Sequence, residues 1–449
     1  MKKTIRIANG QGFWGDSVHA PLDLLKYGKL DFLTLDYLAE VTMSIMQKQK
    51  RKNPNLGYAS DFIQLIKDGI SYIEKNNIKV ISNAGGANPE SCREEISKIL
   101  KENSSSKKVG IISGDDILHK VEKFHNKGYN LNHLDTNEEF SSIKDRIVSA
   151  NVYINSFSIA TALEKGADII LAGRVSDPGL VLGPCINHFN WSENDFDKLA
   201  SGTVAGHIVE CGAQCSGGNY SRWHEIKDLV DIGYPIVEMS ESGDFTVFKD
   251  ENKGGLINKL TVSEQLLYEM GDPQNYISPD VKVDFTSLNL VEKEKNIVGV
   301  SNVKGFSPTD TYKVSICYFD GYKAEGSLTI SGPNAKEKSK LASDLVWGRL
   351  KKRGIEFKRK KTDFIGLSAC PGGVDGENKT ANEIVLKLSV HDESKRKVEM
   401  FGKEIAPLIT AGPPGVTGFS GGRPKPKEVI AYWPTLIPKD LIKIEVDVR

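Results

Sequence analysis

Through the first two hundred residues, short β-branched and apolar runs alternate with longer amphipathic stretches, a rhythm that predicts parallel strands joined by crossover helices. Strands are predicted at residues 4–8, 31–35, 79–82, 108–112, 151–154 and 168–171. Most of them end in glycine, aspartate or asparagine. The loops that follow, Asn9-Gly10-Gln11-Gly12, Asn83-Ala84-Gly85-Gly86, Gly114-Asp115-Asp116 and Gly173-Arg174, would therefore gather at the carboxyl rim of the sheet, where open α/β folds bind ligands.

From residue 219 to 280 the pattern loosens, with one short helix predicted at 261–270 and stopped by Gly271-Asp272-Pro273. Beyond 281, alternation at 312–319 and 325–330 predicts a hairpin turned at Asp320-Gly321. A helix at 335–350, a strand at 383–390, a helix at 394–408, a Gly/Pro-rich loop at 412–426 and a last strand near 441–446 follow. The expected fold class is α/β, a mostly parallel sheet with crossover helices, plus a smaller carboxyl-terminal α+β domain. Its divisions are a ligand-binding domain at 1–220, a linking element at 221–280 and the α+β domain at 281–449.

Composition narrows the function. Lys+Arg and Asp+Glu are equal at 59 each, which points away from a polyanion partner. The basic runs at 48–52 and 351–361 are short, interrupted and read as solvated faces. The first residues pass straight into a strand without an apolar signal core. No stretch approaches the roughly 18 apolar residues of a spanning helix, so no membrane partner and a cytoplasmic location are expected. The six cysteines are scattered, and reduced thiols are the default.

Gly10-Gln11-Gly12-Phe13-Trp14-Gly15 lies between a predicted strand and helix, with Asp36 ending the next strand, which is dinucleotide-fingerprint spacing. Phe13, Trp14 and the anion of Asp16 sit badly with a pyrophosphate there, so a differently used ligand loop competes with a plain turn. Asn83 to Asn88, with Gly85 and Gly86, would hold a carboxylate or phosphate on its amides, or simply cap a helix opened by Pro89. Asp115 and Asp116 read as an acid/base or cation pair, or as a cap. Arg174 suits bidentate recognition of a carboxylate or phosphate, against an internal pair with Asp177.

The stretch Gly206-His207-Ile208-Val209-Glu210-Cys211-Gly212-Ala213-Gln214-Cys215 concentrates reactive groups. A C-x-x-x-C with one histidine is a weak zinc signal, and metal dependence stays open. Glu210 is the better acid/base candidate, because a carboxylate beside an apolar turn costs stability unless paired. Cys211 is a nucleophile or a small core residue. No G-x-S-x-G, H-E-x-x-H or Walker pattern occurs.

Together with Asp36-Tyr37-Leu38-Ala39-Glu40-Val41-Thr42-Met43 and Ala411-Gly412-Pro413-Pro414-Gly415-Val416-Thr417-Gly418-Phe419-Ser420-Gly421-Gly422-Arg423-Pro424, these motifs make the whole chain resemble the AtuA-like family of acyclic terpene utilisation proteins. The resemblance implies a place in the breakdown of terpenoid acids through coenzyme A thioesters, with coenzyme A as part of the substrate and no dedicated cofactor. Some relatives carry a fused small ferredoxin-like domain. Its absence here implies a separately encoded small partner, and a homo-oligomer is compatible.

The leading expectation is a lyase or isomerase, hydro-lyase first, acting on a carboxylate or acyl-CoA. Glu210, Asp115 and Cys211 are the catalytic candidates, and Gly10, Gly12, Gly15, Asp36, Asn83, Gly85, Gly86, Asn88, Arg174 and Asp177 the substrate-binding ones. The rivals are a non-catalytic ligand-binding or scaffold subunit and a dinucleotide-dependent oxidoreductase.

Overall fold

The computed structural model describes residues 2–367, 369, 381–419 and 421–449, with Phe419 described by its backbone alone. The chain divides into two compact units, residues 1–317 with 432–449 and residues 318–431. Among the described residues there are twelve α-helices and several sheets, and no helix is long and apolar enough to cross a membrane.

The first unit is built on a ten-stranded sheet. Its order is Asn289–Glu294, Ile297–Ser301, Phe245–Phe248, Ile236–Ser240, Thr4–Asn9, Phe32–Leu35, Lys79–Ser82, Ile169–Leu171, Val109–Ser113 and Glu445–Val448. The five strands from Thr4–Asn9 to Val109–Ser113 run parallel, and both flanks are antiparallel. The sheet is thus mixed, not mostly parallel, and the other sheets are antiparallel. The central strands are buried on both faces, as parallel strands under crossover helices must be. Helices Ala20–Tyr27, Ser60–Asn76 and Pro89–Glu102 pack Leu24, Leu25, Phe62, Ile66 and Ile96 against Leu33, Leu35 and Val80. Helix Phe157–Glu164 contacts strands Val109–Ser113 and Glu445–Val448, and helix Gly179–Phe189 contacts Thr4–Asn9 and Phe32–Leu35.

Three expectations need correction. Residues 221–280 are no linker: Ile236–Ser240 pairs antiparallel with Thr4–Asn9 and hands on to Phe245–Phe248. Residues Thr311–Ser331 form one 21-residue strand instead of a hairpin, although Gly321 has the positive φ of +83° that an Asp-Gly turn would use. The second half pairs with Glu383–Asp392 while Ile147–Val152 also joins this strand, so the two halves have no need of each other. The strand expected at 151–154 is Ile147–Val152, and it lies outside the large sheet.

The second unit has a sheet in the order Arg359–Ile365, Glu383–Asp392, Thr311–Ser331, Val416–Phe419. Even-numbered side chains, among them Leu328, Ile330, Leu386 and Leu388, pack with Ala342, Val346, Phe401 and Ile405 from helices Ala335–Lys352 and Lys395–Ile405. Period-two alternation leaves the odd-numbered side chains on the opposite face.

Phe62 is fully buried and meets Tyr37 edge-on at 6.0 Å, so it ties a core helix to the loop after the second strand. Phe62→Ala should lower unfolding free energy by about 3–5 kcal/mol, read as a shift of the urea midpoint at unchanged slope.

Candidate functional site

The rim loops assemble around one buried amide. Asn9, at the end of the first strand, donates through Nδ2 to the carbonyls of Gln11 and Glu210, both at 2.7 Å. Gln11 O also accepts the Asp36 amide at 2.9 Å. One asparagine thereby fixes the backbones that carry Asp36 and Glu210. Gly12 is needed for close approach: a Cβ there would lie 3.1 Å from Glu210 O and 3.2 Å from the Cys211 carbonyl carbon.

These residues open onto a cavity of about 550 Å³ walled by Gly12, Asp16, Asp36, Glu40, Asp177, Glu210, Cys211 and Glu269, among others. Six carboxylates and no lysine or arginine form this wall. The field of such a cleft attracts cations, repels anions and favours protonated carboxyls. A second cavity of about 440 Å³ shares Glu40, Asp177 and Glu269 with the first and adds Leu134, Tyr153, Pro178, Tyr276, Lys313 and Leu436. Glu269, at the junction, holds a left-handed backbone with φ of 54°, which costs a non-glycine residue energy and is typical of functional sites.

Asp36 is 5% exposed. Its Oδ1 accepts Asn83 Nδ2 at 2.7 Å and the Leu38 amide at 3.0 Å. Burial, with Asp177 adding, pushes its pKa up to about 8 against the pull of Arg174 and Asn83. Glu210 Oε1 meets His207 Nδ1 at 2.8 Å, while Oε2 has no partner. Burial raises the Glu210 carboxyl. The His207 imidazole, which burial alone would lower, is held above its ordinary value by the Glu210 charge and hydrogen bond. Phe285 and Tyr276 pack on His207 with ring centroids at 5.4 and 6.0 Å.

Other expected site residues serve from beneath. Arg174 is 1% exposed, donates through Nη1 to Asp177 Oδ1 and to Val175 O, and lies 4.1 Å over the Tyr153 ring. Its Nε is buried without a partner. Asp115 accepts the Arg174 amide and Asn151 Nδ2, both at 2.9 Å, so it positions the Arg174 loop. Gly173 is required there, because a Cβ would fall 2.0 Å from Asp115 Oδ1. Burial raises the Asp115 carboxyl as well. Asp116 caps the following turn through the Leu118 amide.

The Asn83–Asn88 loop is likewise engaged within the fold. Asn83 Oδ1 accepts the Tyr37 amide, Asn88 Nδ2 donates to Pro54 O and Leu56 O, and Gly85 and Gly86 lie against Pro89 and Met46. Gly10 abuts Pro21, whereas Gly15 has open space around it and a φ of +105°. The G-x-G-x-x-G amide of Gly12 already donates to Asp16 Oδ2 at 3.0 Å. Cys211 lines the acidic cavity, but burial, with Glu210 beside it, pushes its thiol up to about 12, against a thiolate nucleophile. Among the described residues no group of three His, Cys, Asp or Glu side chains is arranged to hold a metal ion.

Sequence reasoning missed Asn9, His207, Glu269 and Lys313 as contributors. His207 stood in the 206–219 stretch at i,i+3 from Glu210, a spacing that puts both on one helix face. Lys313 and Glu269 carry no local signal.

The Asp36 shift makes a stability prediction. A carboxyl whose folded pKa lies above its unfolded value makes no difference below pH 3.8. As pH rises from there to about 8, the unfolded chain ionises and the folded one does not, so stability falls. Asp36→Asn keeps the oxygen that accepts from Asn83 and Leu38. Its melting temperature should equal the parent's near pH 4 and exceed it at pH 8, by thermal unfolding across that range.

The comparisons bear on family alone. No curated protein matches the chain. A solved structure of S. aureus homoserine dehydrogenase shares 9% identity over 93% of this chain and 84% of that one, at a TM-score of 0.12, a likeness too weak to carry an argument. The family model described as acyclic terpene utilisation family protein AtuA matches residues 5–448, and with nearly its whole length so matched the chain belongs to the acyclic terpene utilisation family AtuA.

Proposed function

We propose that this protein is a hydro-lyase of terpenoid-acid catabolism, adding or removing water on a branched carboxylic acid or its coenzyme A thioester. The observation that carries the reading is the pair Asp36 and Glu210, two buried carboxyls on one cavity wall with their pKa values raised. Carboxyls tuned upward by burial are suited to proton transfer near neutral pH. In the dehydration direction Asp36, protonated below about pH 8, gives its proton to the leaving hydroxyl. Glu210, steadied by His207, takes the proton from the neighbouring carbon. The C–O and C–H bonds break, a double bond forms and water leaves.

Six carboxylates make the first cavity hostile to an anion, which favours the uncharged thioester, because the carbons that react lie next to the carboxyl group. The apolar chain suits the second cavity, beyond the shared Glu40, Asp177 and Glu269. Tyr153, Tyr276, Leu134 and Leu436 supply apolar wall and Lys313 supplies the positive charge. Lys313 Nζ lies 5.0 and 5.8 Å from the centroids of the Tyr153 and Tyr432 rings and makes no ion pair with any described residue. A pyrophosphate would have to displace Asp16 from the Gly12 amide, and this weighs against the dinucleotide reading.

The test uses branched 2-enoic acids, free and as coenzyme A thioesters, with water addition followed as loss of conjugated absorbance. Asp36→Asn and Glu210→Gln should each cut turnover by roughly 10²–10⁴-fold. Lys313→Ala should raise KM about tenfold with kcat little changed. Water addition runs the dehydration steps in reverse, with Asp36 taking water's proton and Glu210 protonating carbon, so parent turnover should fall as pH rises through about 8, where the pair loses the one proton it needs. Unchanged turnover in both carboxyl variants sinks the assignment. Absence of turnover, alone or with a small ferredoxin-like partner added, leaves the ligand-binding reading instead.

A further inference from the structure

The second unit carries a groove that the proposed chemistry does not use. It encloses about 690 Å³ and is lined by Lys323, Glu325, Ile365, Val385, Lys387, Arg423, Lys425 and Lys427, with Ser327 and Pro424 among the rest. One wall is the odd-numbered face of the sheet, opposite the helices; the other is the loop from Gly421 to Lys427. Of its five cations only Lys387 has an anionic partner, Glu325 at 3.2 Å. Lys323, Arg423, Lys425 and Lys427 pair with no carboxylate among the described residues. Four like charges around one groove repel one another and focus a positive field, an arrangement that an anion relieves.

The groove is more than a charged patch. Ile365 and Val385 sit directly opposite each other in register on the sheet's solvent side, and Ile365 is 44% exposed. With Pro424 they give the groove an aliphatic surface among the cations. A volume in the small-ligand range, an apolar surface and a fork-shaped Arg423 suit a flat ring joined to phosphates. An acidic protein segment would find the charge but leave the aliphatic strip with nothing flat to cover it.

We infer that this groove binds a nucleotide phosphate, with the phosphates on Arg423, Lys425, Lys427 and Lys323 and the base against Ile365 and Val385. The inference stands independently of the reading of the acidic cleft.

The probes are ADP, adenosine, inorganic tripolyphosphate and poly-glutamate, titrated calorimetrically into the full chain. ADP should bind and weaken with added salt. Adenosine should bind weakly, and tripolyphosphate less tightly than ADP. The double variant Arg423→Gln/Lys425→Gln, on an exposed loop, should weaken ADP at least tenfold, and Ile365→Asp should weaken ADP more than tripolyphosphate. Circular dichroism of both variants guards against misfolding. Three results would each overturn the inference: no ADP binding by the parent, ADP binding unchanged in a folded double variant, or tripolyphosphate or poly-glutamate binding as tightly as ADP.

Discussion

The acidic cleft depends on one buried cation. Arg174 lies beneath it, almost wholly removed from water, where burial works against its charge. Asp177 and the Tyr153 ring outweigh that cost and keep the guanidinium charged. The dependence runs both ways. Without the guanidinium, Asp177 would lose its ion-pair partner and Asp36 the one nearby cation that draws its pKa down. The loop that holds Arg174 is in turn set by Asp115, through the Arg174 amide, and by Gly173, the one residue type whose lack of a Cβ lets Asp115 approach. Strand ends, loop and charge balance are thus one construction.

That construction explains why the cleft is acidic without being ionised throughout. Asp177 is compensated by Arg174 and Glu210 by His207, whereas Asp36 has only amide donors on Oδ1. Burial above all, with Asp177 adding, makes Asp36 hold its proton well into the neutral range. Asp36 differs from Asp177 first in burial: it is 5% exposed, whereas the Asp177 side chain is 39% exposed and lies beside a guanidinium. The division of the cleft, carboxylates on one side and aromatic and aliphatic wall on the other, follows from which loops meet. The acidic cavity is built largely from the first two strand-end loops and the turn after helix Phe196–Val209. The second draws on the 276–279 and 309–313 segments.

Much of the strand-and-loop frame was legible in the sequence because each parallel strand is a short apolar run closed by a turn residue. The strands at 79–82 and 169–171 match their pattern closely. What escaped was set by partners distant in the chain. Ile236–Ser240 has only five residues with a half-exposed glutamate in the middle, and becomes a strand because Thr4–Asn9 has an open edge to fill. Asp320-Gly321 carries a hairpin signal that is overridden once the two halves of the strand find separate neighbours. At the site, Glu210 stood out in a helix-end stretch rich in reactive groups, and Asp36 because it ends the strand that follows the glycine loop. Lys313 lies in the middle of an alternating strand, where nothing distinguishes it from a solvated lysine until Tyr153 and Tyr432 close around it.

The glycine loop after the first strand shows why spacing alone misleads about chemistry. In a phosphate-binding turn the loop and helix amides stay free for the ligand. Here Asp16 occupies that place: its carboxylate accepts the amides of Gly12 and Ser17 and the hydroxyl of Tyr234. An internal anion satisfies the donors that a pyrophosphate would otherwise take, and it adds to the negative field of the cavity it borders. In the neighbouring Asn83–Asn88 loop the amide of Ala84 donates to Ser82 Oγ, that of Gly86 to Asn83 O, that of Ala87 to Gly57 O and that of Asn88 to Gly85 O. With these amides engaged within the fold, the walls of the first cavity present side chains, and among the charged ones all are carboxyls.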